Sequence, residues 1–463
     1  MMTTNKGKTI HPDQEAAIEG LASQLRRDVL AVLGAGAAFA ALPGTASAAV
    51  ATTSTTTATA AGAVPLAGPA THSGLKPWAD YVAMLQPAGE LTNLTWMPKD
   101  EQIRAELYRQ LVMNIAQGYI WYFQSTPEHP DWMPFENSIF LLQPNPDAVY
   151  HLAPLDGKGI YRIVGNRGNN KVMGFAVGRG MLGTEEPRGG FNNYDADGLT
   201  LGPDGAFEVI FSSERPAGWK GDWRYLHPEA RSLLIRQFSY RWGVDQEARF
   251  AIERLDRPAF KPRLSPAEIA TRLEAVLDGF VRRMSRICLG YQDKVFKQLG
   301  PNVMEISGFE DLGNSPEWPQ KYWRCIYDLQ PGEALVIETE LPKQCKYWNV
   351  QINDALWNQV EFAYRQSSLN AAQARLDADG KFRAVIALED PGVPNWLDTG
   401  GHTRGMLVGR WHGADSYPVP VMKKVALTEV RKHLPKDTPK VTAEERDRAL
   451  RARNIGVQLR RRW

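Results

Sequence analysis

Few of the residue patterns that build a reactive centre are present. Only three cysteines occur in 463 residues, Cys288, Cys325 and Cys345, and none sits in a C-x-x-C pair, which argues against a zinc ribbon or a thioredoxin-type dithiol. The eight histidines form no H-x-H or H-E-x-x-H motif, so the ligand spacing of a metal-binding jelly roll or a zinc protease is missing and no metal is expected. A complete G-x-x-x-x-G-K-[ST] phosphate loop and a G-x-S-x-G nucleophile elbow are absent as well. Net charge is only +2, which gives no global field for nucleic acid. Apolar runs long enough to span a membrane are also lacking.

What the chain does have is 14 tryptophans and 31 prolines, a composition that favours a loop-rich β architecture over a helical bundle. Its start reads as an export signal. Arg26 and Arg27 precede a run of about 14 apolar residues, and Ala46-Ser47-Ala48 supplies a small-residue cleavage site. The arginine pair and the Gly/Ala-rich run suggest the twin-arginine route, hence a periplasmic or extracellular protein with no stable transmembrane span after processing. That route often carries folded proteins with a cofactor bound, but no cofactor is identified by these residues.

Three helices announce themselves. Ile103, Leu107, Leu111 and Ile115 recur at spacings of four between Met97 and Ser125. Ser265-Pro-Ala-Glu268 and Thr442-Ala-Glu-Glu445 each carry a capping box. The tail from Val421 holds 13 Lys/Arg against 5 Asp/Glu and reads as a solvated basic helix.

Between the helices the pattern is β, and it repeats. "LGPDGAFEVIF" (201–211) and "LDADGKFRAVI" (376–386) share a leucine, an Asp-Gly turn, a phenylalanine and an apolar alternation. "GIYRIVG" lies upstream of the first and "EALVIET" upstream of the second, at nearly equal distances. Downstream, Trp223 precedes Arg236 by 13 positions and Trp396 precedes Arg410 by 14. Three matches in the same order predict a duplicated unit of about 110 residues. The expected fold is mainly β: two tandem jelly-roll-like sandwiches, a double jelly roll, with helices before, between and after. The expected organisation is a twin-arginine signal peptide at 1–48, a low-complexity linker and entry segment at 49–93 and a helical segment at 94–144. The first sandwich then covers 145–260, a connecting helix 261–300, the second sandwich 301–424 and a basic helical tail 425–463.

The stretch "YWNVQINDALWNQVEFAYRQSSLN" with "ARLDADGKFRAVIALEDPGVPNWLDTGGHTRGMLVGRW" resembles the bacterial family called domain of unknown function 1214. The preceding half, with "NPDAVYHLAPLDGKGIYRIVG", is similar to its usual companion, domain of unknown function 1254. Together the two resemblances span about Leu94 to Lys424. They imply a double jelly roll like those of large-virus capsid proteins, and they carry no reaction and no catalytic residues.

Site candidates come from what the second copy has and the first lacks. "LDTGGHTRG" replaces "RYLHPEARS" and brings Asp398, His402 and Arg404 around a Gly-Gly pair. A carboxylate that orients an imidazole is a workable general acid/base pair near neutral pH, so Asp398 and His402 are the catalytic candidates. Arg404 is suited to binding a carboxylate or sulfate-like group bidentately. Asn395, Trp396, Asn349, Gln351, Asp354 and the loop residue Trp132 complete the expected substrate contacts. Asn145, Asp147, Tyr150 and His151 form the polar cluster of the first half. Arg236 and Arg410, common to both copies, read as structural. Three functions fit: a hydrolase- or lyase-type enzyme acting on a small polar or glycosidic substrate, a non-catalytic small-molecule-binding protein, or a shell or interaction protein. Double jelly rolls assemble readily, so a homo-oligomer, for instance a trimer, is a fitting partner state.

Overall fold

The computed structural model describes residues 74–135, 139, 141–184, 189–312, 315 and 317–460. The signal expected at 1–48 and the low-complexity stretch after it lie outside the described residues. The chain enters through a short helix, α1 (Trp78–Ala83), and then α2 (Glu101–Tyr119), whose Asp100 cap accepts from the Ile103 amide at 2.9 Å. One π turn carries α2 on to Gln124, close to the boundary that its periodicity predicts. Between the two β regions, α3 (Pro266–Glu274) starts at the Ser265/Glu268 capping box and runs through a π turn into α4 (Val281–Leu299). The last helix, α5 (Ala443–Gln458), starts at the Thr442/Glu445 box. None of the described helices is long and apolar enough to cross a membrane.

Among the described residues each β region contributes nine strands. The first holds β1 (Met133–Pro134), β2 (Ala148–Pro154), β3 (Tyr161–Asn166), β4 (Val172–Gly178), β5 (Gly190–Asp195), β6 (Ala206–Ser212), β7 (Asp222–Tyr225), β8 (Ser232–Phe238) and β9 (Arg249–Arg254). In the second are β10 (Glu305–Gly308), β11 (Gln320–Asp328), β12 (Glu333–Thr339), β13 (Cys345–Asp354), β14 (Ser368–Asn370), β15 (Phe382–Ala387), β16 (Trp396–Asp398), β17 (Arg404–Ala414) and β18 (Val421–Ala426). The sheets run β1-β2-β8-β4-β5 and β7-β6-β3-β9 in the first copy, β10-β11-β17-β13-β14 and β16-β15-β12-β18 in the second. Adding nine to every strand number of the first copy yields the second. The duplication read from three short matches therefore extends to the whole topology, and the fold is mainly β with two tandem sandwiches.

One detail differs from an all-antiparallel reading. In each copy the short tryptophan-bearing strand, β7 or β16, pairs parallel to its neighbour. The Asp-Gly turns exist, with Gly205 and Gly380 both at φ +79°. Yet the strand after each turn finds its ladder with β3 or β12, between forty and just over fifty residues back, while the second turn itself carries the single antiparallel bridge Leu376–Phe382.

Alternation along the strands makes three apolar layers. Leu233 and Ile235 of β8 face the interior of the first sandwich with Phe175 and Phe211. Leu407 and Trp411 of β17 face that of the second with Trp323 and Phe382. The alternate residues, Leu234 and Phe238 on β8 and Met406 and Val408 on β17, belong to a third cluster that α4 joins through Met284, Cys288 and Val295. The two five-stranded sheets thus present their other faces to one shared core. All three cysteines are free thiols.

Candidate ligand-binding cavity

Where the two five-stranded sheets meet there is a cavity of about 230 Å³. Arg236 on β8 and Arg410 on β17 both line it, and they are equivalent positions of the two copies. Their strand neighbours are equivalent too: Tyr150 pairs with Arg236 on one side, and Tyr322 with Arg410 on the other. Both tyrosines also line the cavity. Apolar walls come from Phe135, Leu152, Leu234, Phe238, Phe309, Trp318 and Trp357. Gly174, opposite Arg236 on β4, is glycine for a steric reason: a Cβ there would lie 2.2 Å from the Trp318 ring. That contact lets the second half press directly on the first.

Arg410 is buried, and every acceptor it meets is neutral. Its Nη1 donates to Asn349 Oδ1 at 3.2 Å and to Gln351 Oε1, and its Nη2 to the Gln143 carbonyl at 3.2 Å. The guanidinium lies 5.4 Å from the Tyr322 ring centroid. Arg236 reaches into the other half, 5.0 Å from Phe309 and 5.2 Å from Trp318. A polar seam continues from Arg410. Asn349 donates to Asn145 Oδ1 at 2.7 Å, Asn145 donates to the Tyr347 hydroxyl at 2.9 Å, and Tyr347 donates to Asp147 at 2.6 Å. Burial pushes the Asp147 carboxyl up, against the opposing hydrogen bonds from Tyr347, Asn370 and Trp242. The first-half cluster and the expected Asn349–Gln351 strand are thereby brought together, as one interdomain network.

The imidazole nearest this seam is His412. It is fully buried against Trp318, neither ring nitrogen has a hydrogen-bond partner, and burial with the nearby Lys346 and Arg236 charges brings its pKa to about 3.

The other expected site residues fall elsewhere. Positive φ at Gly400 and Gly401 makes the turn expected after Asp398. Asp398 is buried and its oxygens go to Arg365 at 3.0 Å and to the Gly400 amide at 2.7 Å. No hydrogen bond joins it to His402, which is half-buried and donates its amide to the Thr399 carbonyl. Asp354 accepts from the Leu356 and Asn358 amides at 2.8 and 2.9 Å; burial raises its pKa, and the charge of His402 partly offsets the rise. Arg404 is paired through Nε and Nη2 with Asp328 and lies 4.4 Å from the Phe296 ring, lining a separate cavity of about 150 Å³ with Trp96. Asn395 spends its amide on the Arg375 and Arg383 carbonyls, and the Trp396 indole donates to the Ala387 carbonyl. Trp132 packs edge-on against Phe250 beside His151 in a third cavity, and burial lowers the His151 pKa to about 4. Among the described residues no three His, Cys, Asp or Glu side chains gather as a metal set.

Sequence reasoning passed over the two cavity arginines by reading their repetition as structural. The missed signal was alternation. An arginine that continues the face opposite Leu233 and Ile235, with Leu234 and Phe238 on its own face, points into an apolar layer and needs a reason to be there.

Fold and cavity together describe a tandem β-sandwich protein with a small-molecule-sized space between its halves. Residues 329–416 match the family described as "Protein of unknown function (DUF1214)". An uncharacterized protein from Burkholderia cenocepacia, known from its crystal structure, is 28% identical, with a TM-score of 0.69 over 76% of this chain and 97% of that one. The VPA0106 protein from Vibrio parahaemolyticus is 14% identical over 68% of this chain and 98% of that one, with a TM-score of 0.39. A search of the curated proteins returns no match.

Proposed function

We propose that this chain is a small-molecule-binding protein that holds its ligand in the cavity between the two sandwiches. The observation that carries the reading is the pair of equivalent arginines set into apolar walls in one concave space. Among the described lining residues there is no carboxylate, imidazole or thiol to move a proton near neutral pH, so this cavity supports binding rather than acid/base turnover. Ala176 lines the cavity, and Ala176→Trp would fill it. Native mass spectrometry of the protein purified from its own host should show a bound small molecule, lost in Ala176→Trp. An unliganded wild type across extracts, or equal loading of the variant, would reject the reading.

A second reading keeps the acid/base enzyme, of hydrolase or lyase type, at Asp398 and His402. Its support is the gathering of Asp354 and His402 near the Asp398 turn, where His402 acts electrostatically on the Asp354 carboxyl. Turnover of any extract component that survives in His402→Ala would sink it. In either case we propose export by the twin-arginine signal at 1–48 to the periplasm or outside the cell. Protein recovered from that compartment should begin at Ala49, and an intact Met1 terminus there would overturn the proposal. The resemblance of the N-terminal half to domain of unknown function 1254 belongs to the same proposal.

A further inference from the structure

We infer that the ligand is a compact organic monoanion whose carboxylate is received at Arg410, with an apolar body against the aromatic wall. The inference rests on the reading of the cavity as a binding site, and it adds the chemistry.

Among the described residues Arg410 carries a charge without a counter-charge. Arg410 is 3% exposed, and its partners are two side-chain amides and one backbone carbonyl. Neutral oxygens orient a guanidinium but do not cancel its charge, and an uncompensated buried cation is costly. Five N–H donors in a planar fork are more than these three acceptors use. The described lining of the cavity contains no Asp or Glu. A carboxylate fits the fork bidentately and supplies the missing charge.

The walls decide between an organic and an inorganic anion. Leu152, Leu234, Phe238 and Trp318 would gain nothing from sulfate or phosphate, but they would bury a hydrocarbon or aromatic body. The space sets the size. At about 230 Å³ the cavity falls below the roughly 300–1,000 Å³ typical of sites for drug-sized ligands, so the acid is small.

The test titrates purified wild-type protein, stripped of small molecules by extensive dialysis, with phenylacetate and hexanoate. Their neutral amides, phenylacetamide and hexanamide, and sodium sulfate follow, with heat and tryptophan fluorescence as readouts. The acids are expected to bind at least about tenfold more tightly than their amides, the scale of a charge-assisted hydrogen-bond pair. Arg410→Gln should remove that preference, bringing the affinity of each acid down to that of its amide. The comparison of acid with amide on wild type stands even if the variant folds poorly. Amides that bind as well as acids would overturn the anion inference and leave the binding site intact. Sulfate that binds as tightly as the acids would overturn the organic body. If neither acid nor amide binds, or if Ala176→Trp binds both as wild type does, the cavity is not the site and the proposed function falls with the inference.

Discussion

Arg236 and Arg410 stand at equivalent places in the two copies, yet their surroundings have diverged. Arg410 is held by amide oxygens, and Arg236 lies over the Phe309 and Trp318 rings. A feature shared by two copies is read as scaffold when only the sequence is in view, because spacing carries no information about which face meets the partner domain. His412 shows the same limit, since nothing local marks it as a fully buried imidazole. Its pH consequence follows from the sign of its shift. The folded protein holds the ring neutral, with a pKa near 3 against an ordinary value of 6.5, so the unfolded chain takes up the proton first. Stability is fully present above pH 6.5 and declines as the pH falls from there toward 3. The loss from this group is roughly 3–5 kcal/mol at the acid end. His412→Phe keeps a ring against Trp318 and should flatten that part of the profile in urea titrations between pH 7 and pH 4. A variant with the same acid slope as wild type would show that another group carries it.

At the scale of elements, the capping boxes and the strand alternation were legible because each is decided within a few residues. Ser265 and Thr442 begin helices where the sequence says they do. Pairing partners were not legible: the Asp-Gly turns look like hairpins, but the ladders reach between forty and just over fifty residues back. The basic tail forms a helix exposed over most of its length, but charge counting does not reveal its one inward stripe. Arg446, Arg453 and Arg460 recur every seven residues, two helical turns, and all three turn inward. Arg446 pairs with Asp390, and Arg453 donates to Phe362 and Ser368. Arg460, past the end of α5, meets buried Glu247 at 2.9 Å and the Pro146 and Asp147 carbonyls at 2.6 and 2.7 Å. The tail therefore fastens the second sandwich to the first. Removing one member of a buried pair leaves the other charged and unpartnered, so Arg460→Met should destabilise by about 3–5 kcal/mol. Adding Glu247→Gln should restore much of that, a coupling that a double-mutant cycle in denaturant measures. Additive losses would show that the pair is not a unit.

For the whole molecule, the fold class and the duplication were readable, and the shared layer between the copies was not. Short matches reveal that two units exist, but only packing reveals that β8 and β17 turn their second faces to a common core with α4. That core, the Asn145–Tyr347 seam and the tail all cross between the halves, so neither half buries its surface alone. Calorimetry should show one transition, with calorimetric and van't Hoff enthalpies equal. Two resolved transitions would mean that the halves are stable separately. A ligand of the shared cavity should raise that single transition as a whole, by about 2.7 kcal/mol at a hundred times its dissociation constant.

The matched strand order has a consequence for the cavity. A pocket formed where two identical subunits touch vanishes on dilution, and any substitution in it appears twice. Here both walls belong to one polypeptide, so the pocket exists at any protein concentration. Each arginine can also change without the other. The amide cradle of Arg410 and the aromatic bed of Arg236 are what such independence permits: two different settings for one residue type within one chamber.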